Sequence, residues 1–293
     1  MGNIKRTFVP GDEWIFFKIY TGVRIADFIL VKELYVVIDK LIIDGKVEKF
    51  YFIRYRDPDF HIRLRLLVPN RDLFLFVFNA ISEVLKSLLD KDLIWKFQLD
   101  TYEREIERYN PLLIDSVESI FFVDSVCVIK ILDQLLDVTN NNDRWLIAAK
   151  LIDNILDCFN VTLLKKEDLL LLISSEFRTE FGFNKFNSKQ LNDKYRENRP
   201  YLEAALENED YFENMLLYKA ISDRSVKIKD ILTRMNPIFD LNNLNVENYI
   251  GIYIHMTMNR LFRTENRLYE LIIYDFMRRY YMSKCVLSNS KIK

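Results

Sequence analysis

The chain has 293 residues, of which 50% are hydrophobic and 14% aromatic, so it can bury a substantial core and is not a disordered protein. Its 42 basic and 43 acidic residues leave a net charge of −1, which argues against direct nucleic-acid binding, because that requires a basic excess. Two histidines and three scattered cysteines argue against a histidine-rich metal site and favour a reducing compartment over a disulfide framework.

Targeting and nucleotide-binding signals are also missing from the sequence. No apolar run reaches the roughly 18–20 residues of a membrane span, and the N-terminus lacks the apolar segment of a signal peptide. Only six glycines are present, and neither GxGxxG nor GxxxxGK[ST] occurs, so a dinucleotide or P-loop site is not expected. We therefore expect a cytoplasmic protein without a membrane span, a metal or a cofactor.

Residues 1–110 alternate in the manner of β-strands, interrupted by two helices. Asn70 is a suitable N-cap for the second helix. This order of strand, helix, hairpin, helix and strand predicts an antiparallel or mixed sheet covered by helices. The predicted elements are strand Trp14–Tyr20, helix Arg24–Lys40, hairpin Phe50–Val68, helix Arg71–Leu89 and a strand through Trp95, Phe97 and Leu99.

The predicted hairpin concentrates basic side chains. Basic and apolar residues alternate with period two in both arms, and a four-residue loop, Asp57–Phe60, would place Arg54 and Arg56 opposite Arg63 and His61. All four arginines of the hairpin and its histidine would then share one face. Like charges opposite each other destabilise a sheet, so this face is either a solvated edge paired with nearby carboxylates or an anion site, which arginine suits well.

From residue 111 onward the pattern is helical almost to the end, and no linker or internal repeat is apparent. Phe181–Pro200 is the exception, because its Asn, Lys and Phe content predicts an irregular surface segment. We therefore expect an α+β fold with a single domain over residues 1–293, sheet-rich in 1–110 and helical in 111–293. The predicted helices are Leu112–Phe122, Ser125–Val138 (capped by Asp124), Trp145–Phe159, Lys166–Phe177, Tyr201–Tyr218, Val226–Asn236, Asn248–Phe262 and Glu265–Met282.

The segment Asp100–Asn110 combines charge with regular spacing. Arg104 and Arg108 share a face whether the segment is helical or extended, and acidic residues alternate with them. A salt-bridged surface segment is the more common origin of such a pattern. A pair of substrate-binding arginines is the functional alternative.

The segment Ile252–Phe262 predicts a helix in which an apolar stripe carries polar residues. His255, Asn259 and Arg260 fall on that stripe together with Ile252 and Met256, at helical spacing. A lone histidine on such a stripe is more often a core residue than a functional one. Because the cation Arg260 lies nearby on the same stripe, a functional role for His255 is the alternative.

These segments occur in the order seen in one protein family. FIRYRDPDFHIRLRL, DTYEREIERY, FFVDS and HMTMNRLF, together with the N-terminal EWIFFKIYTG, resemble the C-terminal small domain of class I lanthipeptide dehydratases and the stand-alone thiopeptide biosynthesis proteins built on it. The resemblance extends from Glu13 into the final helix. Asn110-Pro111 departs from the family pattern, which commonly has Gly-Gly at that point.

The resemblance implies an enzyme that modifies a leader-containing precursor peptide. In the dehydratases a large domain transfers glutamate from glutamyl-tRNA onto Ser or Thr, and the small domain eliminates that glutamate to leave dehydroalanine or dehydrobutyrine. The resemblance covers only the small domain, so a separate tRNA-dependent glutamylation protein is the expected partner. Two alternatives remain: a pyridine synthase that joins two dehydroalanines by a formal aza-[4+2] cycloaddition and releases the leader, and a non-catalytic scaffold that binds the leader.

The same resemblance implies roles for individual residues. Arg63, Arg65 and Arg104 would bind the glutamate and stabilise the enolate or the leaving group, because preorganised cations near a developing oxyanion are usually the largest catalytic contribution. His255 would act as acid or base, since histidine titrates near neutral pH. The residues assigned to substrate binding are Arg54, Arg56, His61, Arg108, Asn259 and Arg260.

Overall fold

The structure is a computed structural model that describes residues 4–136, 143–182 and 184–290. Its contacts divide the chain into two compact units, the first formed by the described part of Met1–Val138 with Asp230–Leu244, and the second by that of Thr139–Lys229 with Asn245–Lys293. The single domain expected for residues 1–293 stays a prediction. The predicted end of one helix at Val138 lies outside the described residues.

The first unit contains all the strands of the described chain, and every strand pair is antiparallel. The main sheet has the order β3-β4-β2-β5, and β1 pairs with β6 in a second, two-stranded sheet. The sheet-rich N-terminal part of the predicted α+β fold is therefore confirmed. The strands are β1 Thr7–Phe8, β2 Trp14–Thr21, β3 Lys49–Arg56, β4 Phe60–Leu67, β5 Ile94–Asp100 and β6 Tyr102–Glu103.

The hairpin of β3 and β4 forms, but its predicted register is wrong by one residue. Arg56 pairs with Phe60, so the loop has three residues, and Arg54 lies opposite Ile62 rather than Arg63. Because side chains alternate along a strand, a slip of one residue moves a whole arm to the other face. The observed register therefore separates Arg54 and Arg56 from His61, Arg63 and Arg65, and no face carries all four arginines.

The helices of the first unit cover the apolar face of the main sheet and one of its edges. Phe17 of β2 stacks on Phe78 at 6.1 Å between ring centroids, and Ser125 accepts a hydrogen bond of 3.3 Å from the backbone N–H of Phe52 in edge strand β3. Asn70 caps the helical turn Arg71–Leu73, as predicted. The helices are α1 Ala26–Phe28, which continues through a π-helical Ile29–Leu34 into α2 Tyr35–Ile43, then α3 Phe74–Asp90, α4 Ile106–Tyr109 and α5 Ile114–Leu136.

Helix α5 corrects the prediction of two helices separated at Asp124. The helix runs without a break through Asp124 and Ser125, and both side chains are buried inside the protein. A polar residue begins a helix only when its side chain satisfies that helix's own N–H groups. Ser125 instead accepts from strand β3, so the polar pair marks packing against the sheet and not a helix start.

The described secondary structure of the second unit consists of helices, as predicted for the C-terminal part. Most of the segment predicted to be irregular is helical, however: Asn184 accepts hydrogen bonds from the N–H groups of Phe186 and Asn187 and begins a helix that continues past Pro200. The helices are α6 Arg144–Cys158, α7 Leu163–Glu180, α8 Lys185–Glu207, α9 Met215–Leu241 (whose last turns belong to the first unit), α10 Val246–Leu261 and α11 Asn266–Ser290. None of the described helices is both long enough and apolar enough to cross a membrane.

Candidate functional site

Arg65 lies in the first unit inside a box of aromatic rings. Its guanidinium carbon is 4.3 Å from the ring centroid of Phe16, 4.9 Å from that of Tyr102 and 5.2 Å from that of Tyr51. Only 8% of the residue is exposed. Among the described residues no carboxylate forms an ion pair with Arg65, and its Nε has no hydrogen-bond partner. The rings stabilise the cation in part, but the counter-charge that a buried guanidinium requires is missing.

Arg63 lies beside Arg65 on the same face of β4. Its guanidinium carbon stacks 3.4 Å from the ring centroid of Tyr55, and its Nε donates to Nε2 of His61 at 3.2 Å. The side chain is half-buried. Burial lowers the pKa of Arg63, and the like charge of Arg65 acts in the same direction. The positive charges of the two guanidinium groups therefore repel each other, and a bound anion would offset this repulsion.

His61 holds Arg63 in place and is itself neutral. Its Nδ1 is 2.9 Å from the backbone oxygen of Asp59, which can only accept, and its Nε2 accepts from Arg63. Nδ1 therefore carries the proton. Burial lowers the pKa of His61, and the charges of Arg63 and Lys18 lower it further. Its contacts favour a role in positioning Arg63 over direct substrate binding.

Cations outnumber anions on this surface of the sheet. Lys18 lies opposite Arg63 and forms an ion pair with Asp100, whose pKa it lowers against the effect of burial. Asp100 is one strand farther from Arg65, with Phe16 between them in the register. We call the surface formed by Phe16, Lys18, Tyr51, Tyr55, His61, Arg63 and Arg65 the cationic face. Its arrangement can bind a carboxylate or a developing oxyanion.

Arg104 is also buried, but carboxylates satisfy it. Its Nε and one terminal nitrogen donate to the two oxygens of Glu118 at 2.8 and 2.6 Å, and the same terminal nitrogen contacts Asp115 at 2.8 Å. Although burial alone would lower the pKa of Arg104, its hydrogen bonds and charge interaction with Glu118 raise it. The structure thus places this predicted glutamate-binding arginine in a complete internal ion pair.

The Arg104–Glu118 pair connects to the cationic face through two phenols. Tyr51 donates to the hydroxyl of Tyr102 at 2.8 Å, and Tyr102 donates to Glu118 at 2.7 Å. Burial raises the pKa of both tyrosines, so they remain neutral. Both rings contact the guanidinium of Arg65. Arg104 therefore fixes part of the wall around Arg65.

The remaining arginines predicted from the first unit lie elsewhere. Arg54 is buried on the opposite face of the sheet and pairs with Asp27 at 2.6 Å. Arg56 is exposed beside the hairpin loop. Arg108 is exposed and pairs with Glu105 at 3.1 Å. None of the three belongs to the cationic face.

In the second unit, His255 of α10 forms a dyad with a carboxylate of α11. Its Nδ1 is 3.0 and 3.1 Å from the two oxygens of Glu270, which is fully buried. Asn266 donates to the same carboxylate at 3.1 Å and Tyr274 at 3.2 Å. The side chain of His255 is 31% exposed. A histidine oriented by a buried carboxylate is an arrangement suited to proton transfer.

The residues of the stripe predicted on α10 lie on one helix, but they differ in burial. Ile252, His255, Met256 and Asn259 are all partly exposed. Arg260, the fifth, is fully buried. Among the described residues no group of three or more His, Cys, Asp or Glu side chains is arranged to hold a metal ion.

Sequence reasoning missed two buried carboxylates, Glu118 and Glu270. Each occupies a buried position of a long helix. An acidic residue at a core position of an amphipathic helix is the available signal, since such a residue needs a buried partner. That signal marks the position but not the partner.

Comparison with known sequences and structures gives consistent matches. The family described as "Lantibiotic biosynthesis dehydratase C-term" matches residues 14–281. The subtilin biosynthesis protein SpaB of Bacillus subtilis is 28% identical over 280 residues, which are 90% of this chain but 25% of SpaB. The chain therefore spans about a quarter of that relative.

Two solved structures share the fold. The tRNA-dependent lantibiotic dehydratase MibB from Microbispora sp. 107891 matches with a TM-score of 0.70 at 17% identity, over 92% of this chain and 28% of MibB. The pyridine synthase TbtD from thiomuracin biosynthesis matches with a TM-score of 0.65 at 14% identity, over 92% of this chain and 99% of TbtD. At these identities the two matches show the fold alone.

Proposed function

We propose, from the premise that this chain belongs to the lantibiotic biosynthesis dehydratase C-terminal family, that it eliminates glutamate from glutamylated Ser or Thr residues of a ribosomally made precursor peptide. The products are dehydroalanine and dehydrobutyrine. Glutamylation by a tRNA-dependent activity must precede this step, and the chain spans about a quarter of SpaB. Dependence on a glutamyl-tRNA would place the reaction in the cytoplasm.

The observation that carries the proposal is the buried guanidinium of Arg65 without an ion-pair partner among the described residues. A buried cation is expensive unless an anion reaches it. The substrate of elimination supplies such an anion, since glutamate brings one carboxylate and leaves as a second. Arginine binds carboxylates through two parallel hydrogen bonds, and the half-buried Arg63 lies next to Arg65 to share the charge.

Each candidate site residue has a proposed role in the elimination step. The Cα–H bond of the glutamylated residue breaks, its electron pair forms the Cα–Cβ double bond, and the Cβ–O bond breaks to release glutamate as a carboxylate. Arg63 and Arg65 stabilise the enolate oxygen or the departing carboxylate. His255 accepts the proton or returns it. Arg104 acts indirectly, because Glu118 occupies its donors and Tyr102 connects that pair to Arg65.

Pyridine synthesis is the second candidate. The pyridine synthase TbtD shares the fold over 92% of this chain, and this likeness supports the candidate. That reaction would also use a cation to polarise an amide oxygen. It would not require a clamp for a free carboxylate, which the Arg63–Arg65 pair offers.

Mass spectrometry of a leader-bearing peptide with one O-glutamyl serine distinguishes the candidates. Elimination by the purified chain should remove one glutamic acid and leave one dehydroalanine. A chain that leaves this peptide intact, but cyclises a peptide with two dehydroalanines and releases its leader, is a pyridine synthase. Binding of the leader without a mass change in either peptide would identify a scaffold and refute both enzymatic proposals.

A further inference from the structure

The buried carboxylate of Glu270 has no role in the steps assigned above, yet it is fully enclosed and directed at His255. We infer that Glu270 is a positioning residue that fixes the proton of neutral His255 on Nδ1, so that Nε2 is the atom that exchanges a proton with the peptide. The inference deepens the proposed elimination and rests on it for its catalytic meaning. The tautomer itself is a property of the chain that can be measured without turnover.

The hydrogen bonds around Glu270 determine the direction of the His255 contact. Asn266 donates a side-chain N–H to Oε1, and Tyr274 donates its hydroxyl to Oε2. Nδ1 of His255 lies 3.0 and 3.1 Å from the same two oxygens. An ionised carboxylate only accepts, and three convergent donors match its lone pairs. Nδ1 must therefore carry the proton.

With the proton on Nδ1, Nε2 of His255 is the ring nitrogen that can accept a proton. Within the described residues no hydrogen bond to Nε2 of His255 is formed, and the side chain is partly exposed. A neutral imidazole with its proton on Nδ1 has its lone pair on Nε2. For metal-bound histidines, removing the carboxylate that orients the ring costs roughly 10- to 100-fold in function, and we expect a loss of similar size here.

The support for Glu270 is built along one stripe of α11. Asn266, Glu270 and Tyr274 are four residues apart, so their side chains lie on one face of the helix. Asn266 and Tyr274 hold the carboxylate from both sides along the helix axis, which leaves His255 of α10 as its partner from another helix. Burial, with the Glu270 charge as a further cause, raises the pKa of Tyr274, which stays a donor.

A purely structural ion pair between α10 and α11 is the competing explanation. The chain offers a matched control for it in Asp275, a second buried carboxylate on α11. Asp275 pairs with Arg178 and with Nε of Arg279, the latter at 2.6 Å, and the described contacts place no histidine on it. Glu270→Gln and Asp275→Asn each remove one buried carboxylate charge from α11, and only the first alters the surroundings of His255.

Nitrogen-15 NMR of the full chain tests the tautomer directly. The sequence has two histidines, so a histidine-labelled sample gives two sets of ring signals, and His255→Asn assigns them. Where the ring is neutral, the expected spectrum has the proton of His255 on Nδ1, with a shift toward the Nε2-protonated form in Glu270→Gln and none in Asp275→Asn. An Nε2-protonated His255 in the unaltered chain would overturn the inference, even if Glu270→Gln does not fold.

Kinetics with the O-glutamyl peptide tests the catalytic meaning. Glu270→Gln should lower kcat by roughly 10- to 100-fold with KM changed less than about twofold, Glu270→Asp should recover part of kcat, and Asp275→Asn should retain it. Equal losses in Glu270→Gln and Asp275→Asn would make Glu270 merely structural. If the unaltered chain does not eliminate glutamate, the proposed function fails while the tautomer measurement still decides whether Glu270 positions His255.

Discussion

Arg65 and Arg104 are two buried arginines of the first unit with opposite surroundings. Arg104 pairs with the buried carboxylate of Glu118 and with the exposed carboxylate of Asp115, whereas Arg65 is enclosed by three aromatic rings. Similar burial and the same charge therefore do not define the same role. The difference teaches that a candidate anion site is marked by the counter-charge that the described protein does not supply, and not by the arginine itself.

The largest expected effect follows from removing the paired arginine. Arg104→Met should lower the free energy of unfolding by about 3–5 kcal/mol, because Glu118 would remain buried without its cation. Urea unfolding measures the change. The double variant Arg104→Met/Glu118→Gln leaves no uncompensated charge and should recover a large part of the loss. Equal stability of the single and double variants would show that the ion pair does not enclose Glu118 as described.

Arg65→Met should give the opposite pattern, a large loss of activity without a loss of stability. Removing one preorganised donor to a developing oxyanion costs roughly 100- to 1,000-fold in rate. Replacing a buried cation that has no carboxylate partner among the described residues by an apolar side chain should leave the unfolding free energy unchanged or higher. Elimination from the O-glutamyl peptide and urea unfolding give the two readouts. Arg56→Met, which removes an exposed arginine from the opposite face, is the matched control and should change neither.

A stability loss in Arg65→Met as large as that in Arg104→Met would contradict the comparison. It would mean that Arg65 has a structural counter-charge after all. Full elimination activity in a stably folded Arg65→Met protein would instead remove Arg65 from the proposed mechanism and leave Arg63 as the remaining cation of that pair.

Sequence reasoning predicted the cations of the hairpin but not which of them act together. Period-two alternation identified both strands correctly, yet Phe60 can end a four-residue loop or begin a strand. Its burial decides the question, since Phe60 pairs with Arg56 in the sheet and is enclosed. This register shift of one residue places Arg54 on the sheet face opposite to that of Arg63, where it forms a buried ion pair with Asp27. The local sequence of the hairpin does not identify Asp27 as the partner.

The two carboxylates that orient functional side chains were beyond sequence reasoning for a related reason. Glu118 and Glu270 meet Arg104 and His255 at separations of 14 and 15 residues, so their pairing depends on how separate elements pack. Helical periodicity can place each acid on the buried face of its helix. It cannot state which basic side chain approaches from the neighbouring element, and that choice determines whether an arginine is available to a substrate.

His61 offers the smallest and most local test of the same contrast, because its pKa reflects its burial and, in addition, the positive charge of the cationic face. Burial, together with the charges of Arg63 and Lys18, lowers its pKa in the folded chain below the ordinary value near 6.5. The unfolded chain therefore binds more protons in this window, so the stabilisation is complete above about pH 6.5 and is lost as pH falls toward the folded pKa. Urea unfolding at about pH 7.5 and about pH 5.5 should show this loss in the unaltered chain and in His255→Asn, and a smaller loss in His61→Gln. An identical pH dependence in His61→Gln would mean that the cationic face does not lower the pKa of His61. The proposed difference between this face and the surroundings of Arg104, where carboxylates pair with the cation, would then be contradicted.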